Sequence, residues 1–150
     1  MATPKKSVAK TTIEATTLYM LAGAHHGVRT LIESALKPLD LTPLQYTVLS
    51  IIEHRPGLSS AALARRFYVT AQNMGQLLVT LEKRGLLTRL ENEENRRHLT
   101  ITLTDEGHRL QAVGASQMQL VERAVLANVP KEAVATLRET LATIIATLRS

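Results

Sequence analysis

Apolar residues recur at steps of three and four over most of this 150-residue chain, and they change to strict alternation in one short segment. The helical spacing predicts a first helix from about Ile13 to Leu36 and a second from Pro43 to about Glu53. The alternating segment is Leu99–Leu103, which together with residues 86–90 predicts a two-stranded hairpin. The chain is therefore predicted to be mainly α-helical, with one small β-hairpin.

Residues suited to helix ends divide the helical part further. Ser59 can cap a short helix, and Thr70 can cap a longer one. The run Thr42–Gln45 combines a cap, a proline at the first helical position and a capping-box glutamine. Gly85 is placed to end the helix after Thr70 in a left-handed turn. Thr104 precedes two acidic residues, which favours a helix from there to about residue 127.

The helix after Thr70 is predicted to have a core face and a polar face. The residues predicted to face the core are Ala71, Met74, Leu77, Leu78 and Leu81. The opposite face carries Gln72, Asn73, Gly75, Gln76, Val79 and Thr80. Amide side chains can pair bidentately with adenine edges. A short support helix, a polar-faced helix and a hairpin, in that order, form the layout of a winged helix-turn-helix lobe that reads DNA.

The net charge of +5 is concentrated in this predicted lobe. Between Arg55 and Arg97 the sequence has eight basic and four acidic side chains, so +4 of the +5 lies there. A basic patch supplies the salt-dependent, sequence-independent part of DNA affinity. The alternative is a solvated basic face without a partner, and charge alone does not separate the two.

Composition and spacing argue against other classes of protein. The chain has no cysteine, which removes disulfides, zinc–thiolate sites and thiol redox switches. The five histidines are scattered and no phosphate-binding loop or nucleophile elbow is present, so we expect neither an enzyme nor a cofactor. His25 and His26 are adjacent, hence about 100° apart around a helix, which disfavours a metal site. No run approaches the roughly 18 apolar residues of a membrane span and no secretory segment follows the first lysines, so we expect a cytoplasmic protein without a membrane partner.

The two ends of the chain differ in character. Residues 1–11 are rich in Ser, Thr and Lys and are predicted to form a disordered tail. The last helix should begin at Pro130 and carry a regular apolar stripe. The stripe consists of Val134, Leu137, Leu141, Ile144 and Leu148. Such a stripe packs either within the chain or against a second copy, and the spacing alone leaves both open.

Five runs of residues carry a resemblance to a known family. The runs are Leu41–Tyr46, Leu63–Ala64, Leu81–Arg89, Asn95–Arg97 and Leu103–Gly107. In this order and spacing they resemble the multiple antibiotic resistance regulator (MarR) family, and the match covers nearly the whole chain after the tail.

The resemblance implies a single domain and a function. A winged lobe at residues 42–104 would lie between dimerisation helices at residues 12–37 and 105–149. The protein would be a homodimeric repressor that binds a pseudo-palindromic operator, with half-sites roughly 34 Å apart, and that is released by a small aromatic or lipophilic acid. Two alternatives are a winged-helix regulator without an effector and, less favoured by the histidine spacing, a metal-responsive regulator.

The resemblance also implies DNA contacts, position by position. The implied positions are Thr70, Gln72, Asn73, Gln76, Arg65 and Arg66 in the helices, and Arg96 and Arg97 in the wing. Arg65 and Arg66 are the weaker, phosphate-only candidates. Family members often have arginine where this chain has Gln76, and usually aspartate where it has Asn95. Asparagine cannot form a charge-assisted pair with Arg97, so a more mobile wing is expected.

Effector contacts are expected on the first two helices. The candidates are Tyr19, His25, His26 and Arg29 on the first helix and Tyr46 on the second. Arg29 can pair with a carboxylate, and the tyrosines can stack or donate a hydrogen bond. The alternative roles are structural: His25 lies on an apolar stripe, Arg29 suits a solvated surface, and Tyr46 suits the core.

Overall fold

The computed structural model describes residues 16–91 and 99–149. It contains six α-helices and one antiparallel hairpin in these residues, so the predicted fold class is confirmed. The helices are α1 (Thr17–Leu36), α2 (Pro43–His54), α3 (Ser60–Arg66), α4 (Ala71–Lys83), α5 (Asp105–Val125) and α6 (Lys131–Arg149), and the strands are β1 (Leu87–Glu91) and β2 (Leu99–Leu103). A 3-10 turn, Lys37–Leu39, follows α1. The predicted tail, residues 1–11, lies outside the described residues.

The predicted starts of α2, α3 and α4 are confirmed by their capping hydrogen bonds, whereas α1 begins at Thr17 and its predicted start at about Ile13 lies outside the described residues. At α2 the Thr42 hydroxyl accepts from the Gln45 backbone N–H at 3.2 Å, and the Gln45 side chain accepts from the Thr42 N–H at 2.9 Å. The Ser59 and Thr70 hydroxyls accept from the backbone N–H three residues later, at 3.2 and 3.1 Å. Each such cap stabilises its helix by about 1 kcal/mol.

The hairpin joins the lobe through a left-handed turn at Gly85, whose φ is +70°. There the Leu86 N–H donates to the Leu81 carbonyl at 3.0 Å, which closes the C-terminal end of α4. Leu87 then pairs with Leu103, and Arg89 pairs with Ile101. The first strand begins one residue later than predicted, because Leu86 still belongs to the helix-closing turn.

The core lies between α2, α3, α4, the hairpin and the start of α5. Its most deeply buried side chains are Leu36, Val48, Leu49, Leu63, Met74, Leu78, Leu81, Leu87 and Ile101. On α4, Met74, Leu78 and Leu81 are buried as predicted and Leu77 is half-buried. Ala71 is exposed, so its predicted place in the core is wrong. It occupies the first position of α4, one turn beyond the part of the helix that the core covers.

Close backbone contacts join α5 to the lobe. The Thr104 hydroxyl caps α5 by accepting from the Gly107 N–H at 3.0 Å, and it donates to the Gly85 carbonyl at 2.5 Å. The Thr104 N–H donates to the Leu86 carbonyl at 3.2 Å. Gly107 is buried against that carbonyl, so close that a Cβ atom would lie 1.9 Å from its oxygen. The start of α5 is therefore fixed to the end of α4.

The outer helices keep apolar side chains exposed. Leu18 near the start of α1 is 77% exposed, and Leu148 near the end of α6 is 78% exposed. Within the α6 stripe, Leu137 is also exposed, and the three remaining members are half-buried. Among the described residues no helix is both long and apolar enough to cross a bilayer.

Candidate nucleic-acid interface

The first two turns of α4 present a polar face to solvent. Gln72, Asn73 and Gln76 are all exposed, and their spacing places them together on one side of the helix. Met74 and Leu78 on the other side are buried, which fixes the rotation of α4 about its axis. Thr70 is exposed at the N-terminal end of this face, where it also caps the helix. Four predicted DNA-contact residues therefore lie on one accessible surface.

Two arginines flank this surface on the support helix. Arg65 and Arg66 form the last turn of α3 and are exposed. Neither forms an ion pair with any residue of the described ranges. Side chains of this kind keep their charge available to a phosphate.

A third arginine of the lobe has an internal role. Arg89 on β1 pairs with Glu82 in the last turn of α4, and its Nε lies 2.9 Å from Oε2. The hydrogen bond from Arg89 lowers the pKa of Glu82, and the same bond raises the pKa of Arg89. This pair ties the hairpin to α4, so Arg89 contributes to the position of the wing.

Tyr68 is a residue of this surface that the sequence reasoning missed. It lies in the turn between α3 and α4, has a left-handed φ of +52°, and is 72% exposed. A side chain with a Cβ is disfavoured in that conformation. The sequence does contain one indication of an exposed role for Tyr68: it is an aromatic residue that lies between Arg66 and Thr70 and belongs to no apolar stripe.

The wing tip lies outside the described residues. Asn95, Arg96 and Arg97 all fall in residues 92–98, so their predicted roles stay predictions. The base of the wing is held by the strand pairing and by a hydrogen bond between the Thr88 and Thr102 hydroxyls at 3.1 Å.

An open cleft of about 1140 Å³ lies between α1, the turn that follows it, the start of α2 and the end of α4. We call it the interhelical cleft; its lining includes the basic residues His25, Arg29, Lys37 and Arg84, the acidic residues Glu33 and Asp40, and the uncharged residues Leu44 and Thr80. Two of the five predicted effector residues, His25 and Arg29, therefore line it. Tyr19 and His26 are exposed on α1 and do not belong to its lining.

Tyr46 lies away from this cleft, against α5. A Cβ placed on Gly114 would come within 2.7 Å of two Tyr46 ring atoms, so the ring packs directly on that glycine. It is half-buried at the edge of the core.

Metal ligands do not converge anywhere in the described ranges. No group of three or more His, Cys, Asp or Glu side chains within residues 16–91 and 99–149 is arranged to hold a metal ion. In the interhelical cleft Arg29, Lys37 and Arg84 outnumber Glu33 and Asp40, which favours an anion over a cation.

A support helix, an exposed polar helix and an antiparallel wing define the class of this protein: it is a winged helix-turn-helix DNA-binding protein. Related proteins refine that class. A sequence profile of the MarR family matches residues 39–98. The HTH-type transcriptional repressor Rv2887 of Mycobacterium tuberculosis is 34% identical over 110 residues, which cover 73% of this chain and 79% of the repressor.

Solved structures share the same fold. The M. tuberculosis MarR family protein Rv2887, in complex with salicylic acid, superposes with a TM-score of 0.71 at 30% identity, covering 88% of this chain and 98% of that one. A MarR-family transcriptional regulator from Rhodococcus sp. RHA1 superposes with a TM-score of 0.76 at 25% identity, covering 84% and 89%. This chain belongs to the MarR family of transcriptional regulators, whose members are DNA-binding proteins and not enzymes.

Proposed function

We propose that this chain is a homodimeric repressor that binds a pseudo-palindromic operator and leaves it when a small aromatic or lipophilic acid binds. The exposed amide face at the start of α4, beside Arg65 and Arg66, is the observation that carries DNA binding. In this proposal residues 42–104 form the winged lobe, and residues 12–37 and 105–149 supply the dimerisation helices.

Two kinds of DNA contact are proposed. Gln72, Asn73 and Gln76 read base edges in the major groove, because their amides both donate and accept. Thr70, Arg65 and Arg66, together with Arg96 and Arg97 of the wing, hold phosphates and position the lobe. The twofold arrangement places the two lobes on half-sites about 34 Å apart.

The DNA-binding proposal is tested with the region upstream of the protein's own gene and a scrambled duplex of the same length. We expect much tighter binding to the upstream DNA at physiological salt; equal affinity would contradict a specific repressor. Arg66→Ala should weaken binding to both duplexes and reduce the slope of log K against log salt by about one. Gln72→Ala should instead change the preference at particular base pairs and leave the salt slope unchanged.

The exposed apolar residues of α1 and α6 support the dimer. Leu18 and Leu148 lie near the two outer ends of these helices and are more than three-quarters exposed in the single chain. Large exposed apolar side chains in helical stripes are typical of subunit interfaces. Sedimentation should give a dimer for the native chain and a monomer for Leu148→Glu. The matched control is Leu90→Glu, which replaces an exposed leucine on the wing and should remain dimeric.

The interhelical cleft supports the effector part of the proposal. Its lining combines apolar side chains with Arg29, Lys37 and Arg84, which outnumber the carboxylates Glu33 and Asp40, and this suits a molecule with an aromatic ring and a carboxylate. A relative at 30% identity has been solved in complex with salicylic acid. Salicylate is therefore the first probe, measured by calorimetry and by its effect on DNA affinity.

Two adjacent histidines provide a matched pair for locating the effector. His25 lines the interhelical cleft, whereas His26 is exposed outside it. We expect His25→Ala to weaken salicylate binding and His26→Ala to leave it unchanged. Equal effects of the two substitutions would mean that salicylate binds elsewhere. Salicylate binding that does not alter DNA affinity would remove the effector from the mechanism.

A further inference from the structure

Arg84 connects α4, the recognition helix of the proposed DNA contacts, to the turn between α1 and α2. It is the residue at the C-terminal end of α4, and its Nη1 donates to the Asp40 carbonyl at 2.5 Å. Its Nη2 donates to the Leu39 carbonyl at 3.3 Å and lies 3.8 Å from the Asp40 carboxylate. Asp40 has a left-handed φ of +52° and donates its own N–H to the Lys37 carbonyl, so the turn holds these carbonyls in place. The end of α4 is thereby fixed to the turn.

The same guanidinium lines the interhelical cleft. Arg84 is the least exposed of the cationic side chains that line it, at 28%. Arg29 already has a carboxylate partner, since its Nε lies 2.8 Å from Glu33 Oε1, and it remains largely exposed. The partners that Arg84 hydrogen-bonds are neutral carbonyls, and its carboxylate neighbour Asp40 is 3.8 Å away and 96% exposed, too far for a hydrogen bond. A ligand carboxylate would offer it a negatively charged partner that accepts two parallel N–H···O bonds, the geometry that a guanidinium fork matches.

We propose that Arg84 is the residue through which an anion in the interhelical cleft acts on the recognition helix. This inference rests on the proposed effector function of the cleft. A carboxylate that binds the guanidinium competes with the Leu39 and Asp40 carbonyls and so detaches the end of α4 from the turn. Arg84 is eight residues beyond Gln76 and twelve beyond Gln72, about 12 and 18 Å along the helix. Because α4 is one uninterrupted helix, a change at Arg84 moves its DNA-contacting end.

The test measures coupling as well as binding. DNA affinity is determined by fluorescence anisotropy without salicylate and at saturating salicylate, and salicylate affinity is determined by calorimetry. The ratio of the two DNA dissociation constants is the coupling factor, which for allosteric pairs is typically about 5- to 150-fold. The proteins compared are the native chain, Arg84→Ala, Arg84→Lys and the control Lys83→Ala. Lys83 is exposed and adjacent, and it is not part of the lining.

We expect the native chain and Lys83→Ala to lose about tenfold or more of their DNA affinity at saturating salicylate. In Arg84→Ala the coupling factor should fall below about twofold, even where enough salicylate is added to saturate the weaker site. Arg84→Lys keeps the charge, but its single nitrogen lacks the planar fork through which two nitrogens donate to the two carbonyls. It should therefore bind salicylate better than Arg84→Ala does and still show reduced coupling. This variant also serves if Arg84→Ala does not fold.

A coupling factor in Arg84→Ala and Arg84→Lys equal to that of the native chain would overturn the inference while leaving the effector function intact. A native chain whose DNA affinity does not respond to bound salicylate would remove the effector function, and the role of Arg84 would fall with it. The Arg84 Nε–H resonance in ¹⁵N spectra provides an independent measurement. It should shift when salicylate binds, and an unchanged signal at saturation would also count against the exchange of partners.

Discussion

Replacing Gly107 by alanine perturbs the junction between α5 and the winged lobe. The added Cβ would lie 1.9 Å from the Leu86 carbonyl oxygen, 3.0 Å from its carbon, and 3.3 Å from the Leu103 Cβ. Real Cβ atoms do not approach other heavy atoms closer than about 3.0 Å, so α5 and the Leu86 carbonyl must separate by about 1.1 Å. The atom in the way belongs to the backbone, so no side-chain rotation relieves the contact.

The loss of stability in Gly107→Ala follows from the contacts that this separation strains. Overpacking a close contact costs about 1–3 kcal/mol. The movement also strains the hydrogen bond from the Thr104 N–H to the Leu86 carbonyl, and the Thr104 cap on Gly107. Each of these contributes about 1 kcal/mol. Alanine in a helix is favoured over glycine by about 1 kcal/mol, which offsets one of them. We therefore expect Gly107→Ala to lower the free energy of unfolding by about 3 kcal/mol.

Urea unfolding followed by circular dichroism measures this change, since the chain has no tryptophan to report by fluorescence. Protein concentration must be held constant, because the proposed dimer makes stability depend on it. The matched control is Gly75→Ala in α4, where an added Cβ meets no atom within 4 Å; it should raise stability by up to about 1 kcal/mol. A Gly107→Ala protein within about 1 kcal/mol of the native chain would refute the reasoning.

Three further predictions concern the two ends of α4. Glu82→Gln should destabilise the fold at neutral pH by removing the ion pair with Arg89. Arg89 holds the pKa of Glu82 below its usual 4.5, so the stabilisation by this pair is full above pH 4.5 and is lost as pH falls through the lower pKa of the folded state. The urea midpoints of the variant and the native chain should therefore converge in acid. A gap between the midpoints that stays constant with pH would contradict this. Tyr68→Gly should raise the urea midpoint, because glycine adopts a left-handed φ without the strain of about 1 kcal/mol that a side chain incurs. The same variant should bind DNA more weakly in fluorescence anisotropy. Unchanged DNA affinity would exclude Tyr68 from the interface. Thr70→Val should lower the free energy of unfolding by about 1 kcal/mol, because it removes the hydroxyl that caps α4. Thr70→Ser should retain both the cap and the DNA affinity. Equal losses of stability and DNA affinity in the two variants would show that neither depends on the hydroxyl.

The helix boundaries could be predicted from the sequence because they depend on local interactions. An N-cap joins residues three positions apart, so Thr42, Ser59, Thr70 and Thr104 identify helix starts without knowledge of the tertiary fold. The left-handed turn at Gly85 is equally local. The residues of the exposed polar face of α4 follow from these boundaries, since a known start fixes which side chains share a side of the helix.

The interhelical cleft could not be predicted in the same way. Arg84 contacts residues 44 and 45 positions earlier in the chain, and no local pattern records that approach. The position of Tyr46 depends on the missing side chain of Gly114, which lies on a different helix. The left-handed conformation of Tyr68 is local, but it could not be predicted either. Such a conformation is usually indicated by glycine or asparagine, and tyrosine gives no such indication.

The polar contacts that hold α4 in place are concentrated near its C-terminal end. Near its C-terminal end the helix is held by the Glu82–Arg89 pair, by Arg84 on the α1–α2 turn, and by the Gly85 carbonyl on Thr104. At its other end, the residues proposed to contact DNA are exposed. Thirteen residues of helix are about 20 Å long, so a tilt of about 10° at the held end displaces the other end by about 3 Å. Hydrogen bonds to base edges tolerate far smaller displacements, since they weaken steeply beyond about 3.2 Å. In the proposed mechanism, a small change in the contacts of Arg84 would therefore be enough to move the amide face away from the base edges without unfolding any part of the lobe.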